Sequence, residues 1–299
     1  MPTETLWQKD LADLCPWIEA FLNAGELSSF DRNMMASRRR RASIERAEYG
    51  GEFWNRWATR MMQLRFENQG NELIDFACTT NWERHTFDEK LDLAGCLFPG
   101  SIHADESSFL SGAFFTACEV FGDLNLRHVF IAEAGAWLDQ MKVYGALRLR
   151  GAQIDGRVEM RNSVIARTTD FSELLSHGDI WATQCRFMED VKADFSRFAG
   201  SVSFNAARFS GEADFSSSVF EDAASFQKAR FYGKASFEAC IFEEKFWLSK
   251  ALFNDEARMG DARFRCEIDL DGVTFGAPHA ANENNFLHVH SAQPDQRSV

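Results

Sequence analysis

Tyrosine is nearly missing from this 299-residue chain, which holds 3 Tyr against 29 Phe. A ring without a phenol, chosen so consistently, suits a fully dry interior, because a buried hydroxyl needs a partner. Proline is scarce as well, with 5 in all, so this is not a proline-punctuated loop protein. The seven Cys are odd in number and include no Cys-x-x-Cys pair, and no His stands at ligand spacing from them, so no metal site is expected. No apolar run approaches the length needed to span a bilayer. The first residues, Met1-Pro2-Thr3-Glu4, show neither a basic nor an apolar leader segment. The expectation is a cytoplasmic protein with reduced thiols.

Positive charge is also in deficit. The formal net charge is −13, and residues 80–278 hold 21 basic against 31 acidic residues. An acidic surface points away from nucleic acid and anionic membrane as partners.

What is present is a repeat. Phe187, Phe198, Phe209, Phe220, Phe231, Phe242, Phe253, Phe264 and Phe275 follow one another at intervals of 11. A second column, Phe204, Phe215, Phe226, Phe237, Leu248, Met259 and Leu270, stands five positions before members of the first. The register runs backward through Ile165, Ile154 and Val143, shifts by one position near Gly135, and continues to Phe87. Small residues precede the large ones by two, as in Ala224-x-Phe226 and Ala229-x-Phe231. Spacing two places both on one face of an extended chain and turns the residue between them outward. A helix fails this pattern, because it would split the Ala-x-Phe pairs between faces and leave Ser, Asp and Gly too frequent. Gly145, Gly156, Gly178, Gly200, Gly211 and Gly233 often follow two positions after a large residue.

The cadence Ala213-Asp214-Phe215-Ser216, repeated at Ala193-Asp194-Phe195-Ser196, resembles the pentapeptide-repeat family. The stretch Phe209-Ser-Gly211-Glu-Ala213-Asp-Phe215 resembles its subgroup with alternating five- and six-residue segments. That resemblance implies an all-β solenoid, a right-handed quadrilateral β-helix whose large residues plug the core. Four sides take about 22 residues per coil, which gives about nine coils and a rod of roughly 43 Å at the usual strand spacing. A flat two-sided solenoid, with a single repeat unit per coil, is the alternative. Cys96 and Cys118 would stack as neighbours only in the four-sided form.

The expected organisation is a helical cap or docking segment over residues 1–79, the β-helix over 80–278, and a polar tail over 279–299. Helices are expected at roughly 4–24, 37–48 and 52–68 from apolar spacings of three and four, with Gly50-Gly51 as a break. An open solenoid end exposes unpaired strand edges, which a cap would cover. Two basic features are candidate contacts. Arg38-Arg39-Arg40-Arg41 is the one charge block; it is either an anion contact or a solvated helix face. Arg186, Arg208 and Arg230 lie 22 apart and form one outward row, with Glu189, Asp190, Glu212 and Glu221 near enough to suggest cross-coil ion pairs. Cys96, Cys118, Cys185 and Cys240 take the small inward position as small hydrophobes.

No G-x-S-x-G, phosphate-binding loop or dinucleotide turn is present, so neither an enzyme nor a cofactor is expected. The first functional reading is a scaffold that presents a rigid face to another protein. Some members of the family imitate duplex DNA and bind DNA gyrase, so an acidic mimic bound to a type II topoisomerase is the alternative. Against it, a duplex of roughly 43 Å carries about 25 charges, and the repeat carries 21 basic residues among its acidic ones. A third reading is a membrane-surface effector using the Trp-rich N-terminal helices. A homodimer through the C-terminal coil near Phe275 is a further expectation.

Overall fold

The computed structural model of the chain describes residues 5–22 and 28–276. The polar tail expected at 279–299 lies outside them. From Thr80 to Phe275 the chain winds through two-residue strands that gather into four parallel nine-stranded sheets. Each strand pairs with the one four strands later: Phe209 faces Phe231, and Ala213 faces Ala235. This register is the four-sided coil and excludes the two-sided alternative. Side one of the first coil is Thr80–Asn81, side two Thr86–Phe87, side three Leu91–Asp92 and side four Leu97–Phe98. The extra residue falls between Ile131, which pairs with Phe109, and Ala136, which pairs with Ala113. Gly135 absorbs it with φ +77.

Most coils insert four large side chains into one core, with Ala104, Ala182 and Ala193 taking the place of one elsewhere. Ala213, Phe215, Ser218 and Phe220 are buried on sides one and two, and Ala224, Phe226, Ala229 and Phe231 on sides three and four. Because the strands are in register, like rings stack. Phe209, Phe231 and Phe253 stand 4.7 Å apart, within 3° of parallel. Phe220 and Phe242 are separated by 4.9 Å, and Phe215 and Phe237 by 5.3 Å. Between stacks the rings meet edge to face, as Phe215 does with Phe226 at 79°. Both geometries suit the ring quadrupole. Ser176 interrupts the side-two column; its hydroxyl donates to the Gly178 carbonyl at 2.8 Å.

The corners divide the labour in a way the sequence hides. Among the described residues, fifteen that are not glycine, including Ala206, Ser217 and Lys228, adopt positive φ. Such residues each cost about 1–2 kcal/mol. The next coil supports them: Ser217 N–H donates to Glu238 O at 2.8 Å, and Lys228 N–H to Ser249 O at 2.9 Å. The repeat's glycines sit mostly at the other corners for a different reason. A Cβ on Gly178 would lie 2.4 Å from the Gly156 carbonyl oxygen, and one on Gly200 2.6 Å from the Gly178 carbonyl carbon.

The N-terminal segment forms α1 (Leu6–Leu14), a 3₁₀ turn (Pro16–Ile18), α2 (Glu19–Leu22), α3 (Ser29–Glu48), α4 (Gly51–Glu67) and α5 (Glu72–Cys78). The third helix begins at Ser29 rather than near the expected position 37, because Ser28 and Asp31 form a capping box. The last helix is too short to give a periodicity signal. Gly50 breaks the chain with φ +89. These helices close the first coil. Trp54 Nε1 donates to Leu97 O at 2.8 Å, Asn55 Oδ1 accepts from Leu97 N–H at 2.9 Å, and Ser43 Oγ accepts from Asn81 N–H at 3.3 Å. Trp54, Trp82 and Phe98 form a buried aromatic plug at the junction. The helices therefore lie across the open end of the first coil.

Replacing Phe231 by Ala should cost about 3–5 kcal/mol in urea unfolding, because rings pack on it from both neighbouring coils. Phe275→Ala, in the half-buried last coil, should cost less than half as much.

Candidate interaction surfaces

The Arg38–Arg41 block lies on α3, and the structure divides it. Arg40 donates to the Glu83 carbonyl at 2.7 Å. Arg39 donates to the Phe76 carbonyl at 3.2 Å and stands 4.0 Å above the Phe76 ring. Arg40 thus fastens the N-terminal helices to the first coil and Arg39 ties α3 to α5, so the solvated-face expectation fails for these two. Arg38 is exposed, and Arg41 pairs with Glu45 one turn on at 2.7 Å. Arg46, outside the block, is 7% exposed and lies 3.8 Å from the Trp57 ring centre. Burial pulls its pKa down to about 10.

The second basic feature is on side four, four coils below the cap junction, or roughly 19 Å at the strand spacing. Arg186, Arg208 and Arg230 are all exposed and pair in register, one directly above the next. The expected ion pairs do not form there. Glu189 is taken by Arg167 at 2.9 Å and Glu221 by Arg197 at 2.5 Å, and Asp190 accepts the Glu212 N–H at 2.9 Å. The corner carries these carboxylates away from side four. The two Arg groups therefore lie on separate parts of the molecule.

Two polar clusters escape a reading of the sequence. At the corner between sides one and two of the first coils, Glu83, His103 and Asp105 bring ligand-type atoms within 4.8 Å of one another. Arg127 holds Asp105 through two bonds of 3.0 and 3.2 Å, and Arg40 and Arg84 line the same recess. Burial pushes the His103 imidazole below its usual range. Surrounded by guanidinium groups, this is an ion-pair network rather than a cation site. On side three, Glu159 is 2% exposed, clamped between Arg157 at 3.2 Å and Arg161. The Trp181 ring lies under both guanidiniums at 4.2 and 5.3 Å. The coil register, applied to polar as well as apolar positions, is the signal that finds the first cluster: 83, 105 and 127 share one column.

The inward cysteines do more than fill space. Cys118, Cys185 and Cys240 direct their thiols at the carbonyls of Leu93, Met160 and Phe215 at 2.9, 2.7 and 2.9 Å. Ser163, Ser196 and Ser218 take the same position, and their hydroxyls donate to Leu138, Phe171 and Ala193 at 2.6, 2.7 and 2.6 Å. Both residue types therefore staple a corner to the coil before it. Burial pushes the Cys185 and Cys240 thiols up to about 12 and Cys96 to about 11.

Among known proteins, the family model described as pentapeptide repeats (9 copies) matches residues 182–226 and 215–263. No curated protein and no solved structure matches the chain.

At pH 8, Ellman's reagent should titrate half-buried Cys266 first and the six buried thiols only on unfolding. The folded thiols titrate above the unfolded ones. Their contribution to stability is therefore intact below about pH 8.5 and declines as pH rises toward the folded values. Ser43→Ala should cost about 1–2 kcal/mol in thermal or urea unfolding, since it leaves Asn81 N–H unpaired at the coil edge.

Proposed function

As a pentapeptide-repeat protein, this chain is, we propose, a non-enzymatic scaffold that presents the sides of a rigid rod to a protein partner. The observation that carries this reading is the combination of a filled core with four in-register sides. Short strands and tight corners hold the outward side chains at fixed spacing, and the buried rings leave the interior no room for a ligand. Rigid solenoids offer such extended surfaces at low ordering cost.

The charge distribution speaks against the topoisomerase-bound mimic. A duplex imitation needs acidic residues gathered on one face, whereas adjacent coils alternate in sign. Arg84 pairs with Glu106, Arg127 with Asp105, Lys142 with Glu119, Arg150 with Glu173, Arg161 with Asp139 and Arg265 with Glu243. A second reading, cap docking, has its own support. Leu6, Phe30, Tyr49, Phe53 and Phe66 are exposed on the N-terminal segment, a density of apolar groups that a binding surface explains. No helix among the described residues is long and apolar enough to cross a membrane.

Cross-linking of the full chain in native lysate, read by mass spectrometry, should join a partner protein to residues on the rod's sides. Cross-links confined to residues 5–67 would instead assign binding to the cap. Inhibition of gyrase supercoiling by the purified protein at micromolar concentration would overturn the scaffold reading in favour of the mimic.

A further inference from the structure

Side four of the middle coils is a charge anomaly. Among the described residues, charged side chains face each other in strand register at six places. Four are of opposite sign: Glu119 with Lys142, Arg148 with Asp170, Asp170 with Lys192, and Lys192 with Asp214. The two exceptions are Arg186 with Arg208 and Arg208 with Arg230. Like charges placed directly opposite destabilise a sheet. The same Arg-Phe step on side two behaves differently, since Arg197 reaches Glu221 at 2.5 Å. Among the described residues, the three side-four arginines find no ion pair or side-chain hydrogen bond. The neighbouring corner adds exposed Lys228 and Lys250, which have no ion pair among them either. No acidic residue occurs in 183–188, 205–210, 227–232 or 249–254. Asn205 and Gln227 flank the row. A chain of net charge −13 thus carries a continuous strip of five cations on one side of four successive coils.

We propose that this strip, Arg186, Arg208 and Arg230 with Lys228 and Lys250, binds an acidic α-helix of a partner protein laid along the rod axis. The proposal rests on the scaffold reading above and assigns its face and the chemistry of its partner. Spacing selects the helix. Three arginines span about 9.6 Å at a strand separation of about 4.8 Å. Carboxylates at i, i+3 and i+7 of a helix span about 10.5 Å. Same-face carboxylates of an extended strand would span about 13 Å. A guanidinium fork takes a carboxylate through two parallel hydrogen bonds. A duplex nucleic acid is far wider than one two-residue strand, and its phosphates would overlie Glu189, Asp190 and Glu212 at the next corner.

The test uses the full chain and a labelled peptide of five to six helical turns with Glu down one face, read by fluorescence anisotropy at low salt. A peptide of the same composition with Glu spread around the helix is the control. The striped peptide should bind at least about fivefold more tightly than the control, and Arg208→Gln should weaken it about tenfold. Arg208→Gln should also leave Tm unchanged or raise it by about 1–3 °C, because it relieves repulsion. A fall in Tm of several degrees would make the row a structural stack and overturn the proposal. Binding of a short DNA oligonucleotide, dependent on Arg208 and without peptide binding, would overturn the peptide assignment. A cross-linked partner that the Arg208→Gln variant retains at full strength would overturn this face while leaving the scaffold reading in place.

Discussion

Register between successive coils is the constraint on which everything else depends. Once a strand pairs with its counterpart in the next coil, each ring must meet the ring beneath it, each corner the corner beneath it and each surface charge the charge beneath it. The 4.7 Å between Phe209 and Phe231 is the backbone spacing expressed in side chains. A single slip would exchange inward and outward positions throughout a side. The chain tolerates one inserted residue near Gly135 because the glycine takes it up at a corner, and pairing resumes at Ala136. The same logic explains why Ser and Cys interchange at one inward position. Each is small enough to sit behind a ring and carries a donor for a carbonyl of the preceding coil.

A structure made of nearest-neighbour contacts has two ends at which those contacts run out. At the first, the helices supply what a preceding coil would have supplied. Trp54 and Asn55 complete Leu97, Ser43 completes Asn81, and Arg40 takes the Glu83 carbonyl. Two guanidiniums of the Arg38–Arg41 block are therefore committed to the fold. A basic run in sequence reads as a binding site only when its side chains are free. Here one of the four, Arg38, remains exposed without a carboxylate among the described residues.

The repeat is legible in the sequence because its signal is periodic and chemically uniform: rings at a constant interval, small residues two before. Coil size is less legible, since one or two repeat units per coil fit the same columns, and only the pairing of Phe209 with Phe231 decides between them. The turn residues are invisible. Positive φ falls on Arg84, Ala206, Ser217 and Lys228, residues with no shared chemistry, held there by the next coil's hydrogen bonds rather than by their own preference. The surface misleads for a related reason. Proximity in sequence places Glu189 and Glu221 beside the arginine row, but partner choice is set across coils and around corners, where Arg167 and Arg197 reach those carboxylates first.

In a fold where core positions are fixed by stacking, outward strand positions are the ones free to vary, and what they hold is informative. Most hold what the coil above or below can neutralise. A site that departs from that rule carries a cost the solenoid does not need, because Gln or Thr would serve the backbone equally well at Arg208. Local conflicts of this kind mark the places where a sequence answers to something besides its own folding. The conflict here is confined to one side of adjacent coils, repeated in register, and free of acidic residues. A row of cations with fixed pitch on an otherwise acidic rod selects by spacing as well as by sign, since a flexible polyanion would be repelled by the flanking corners before it could follow the strip.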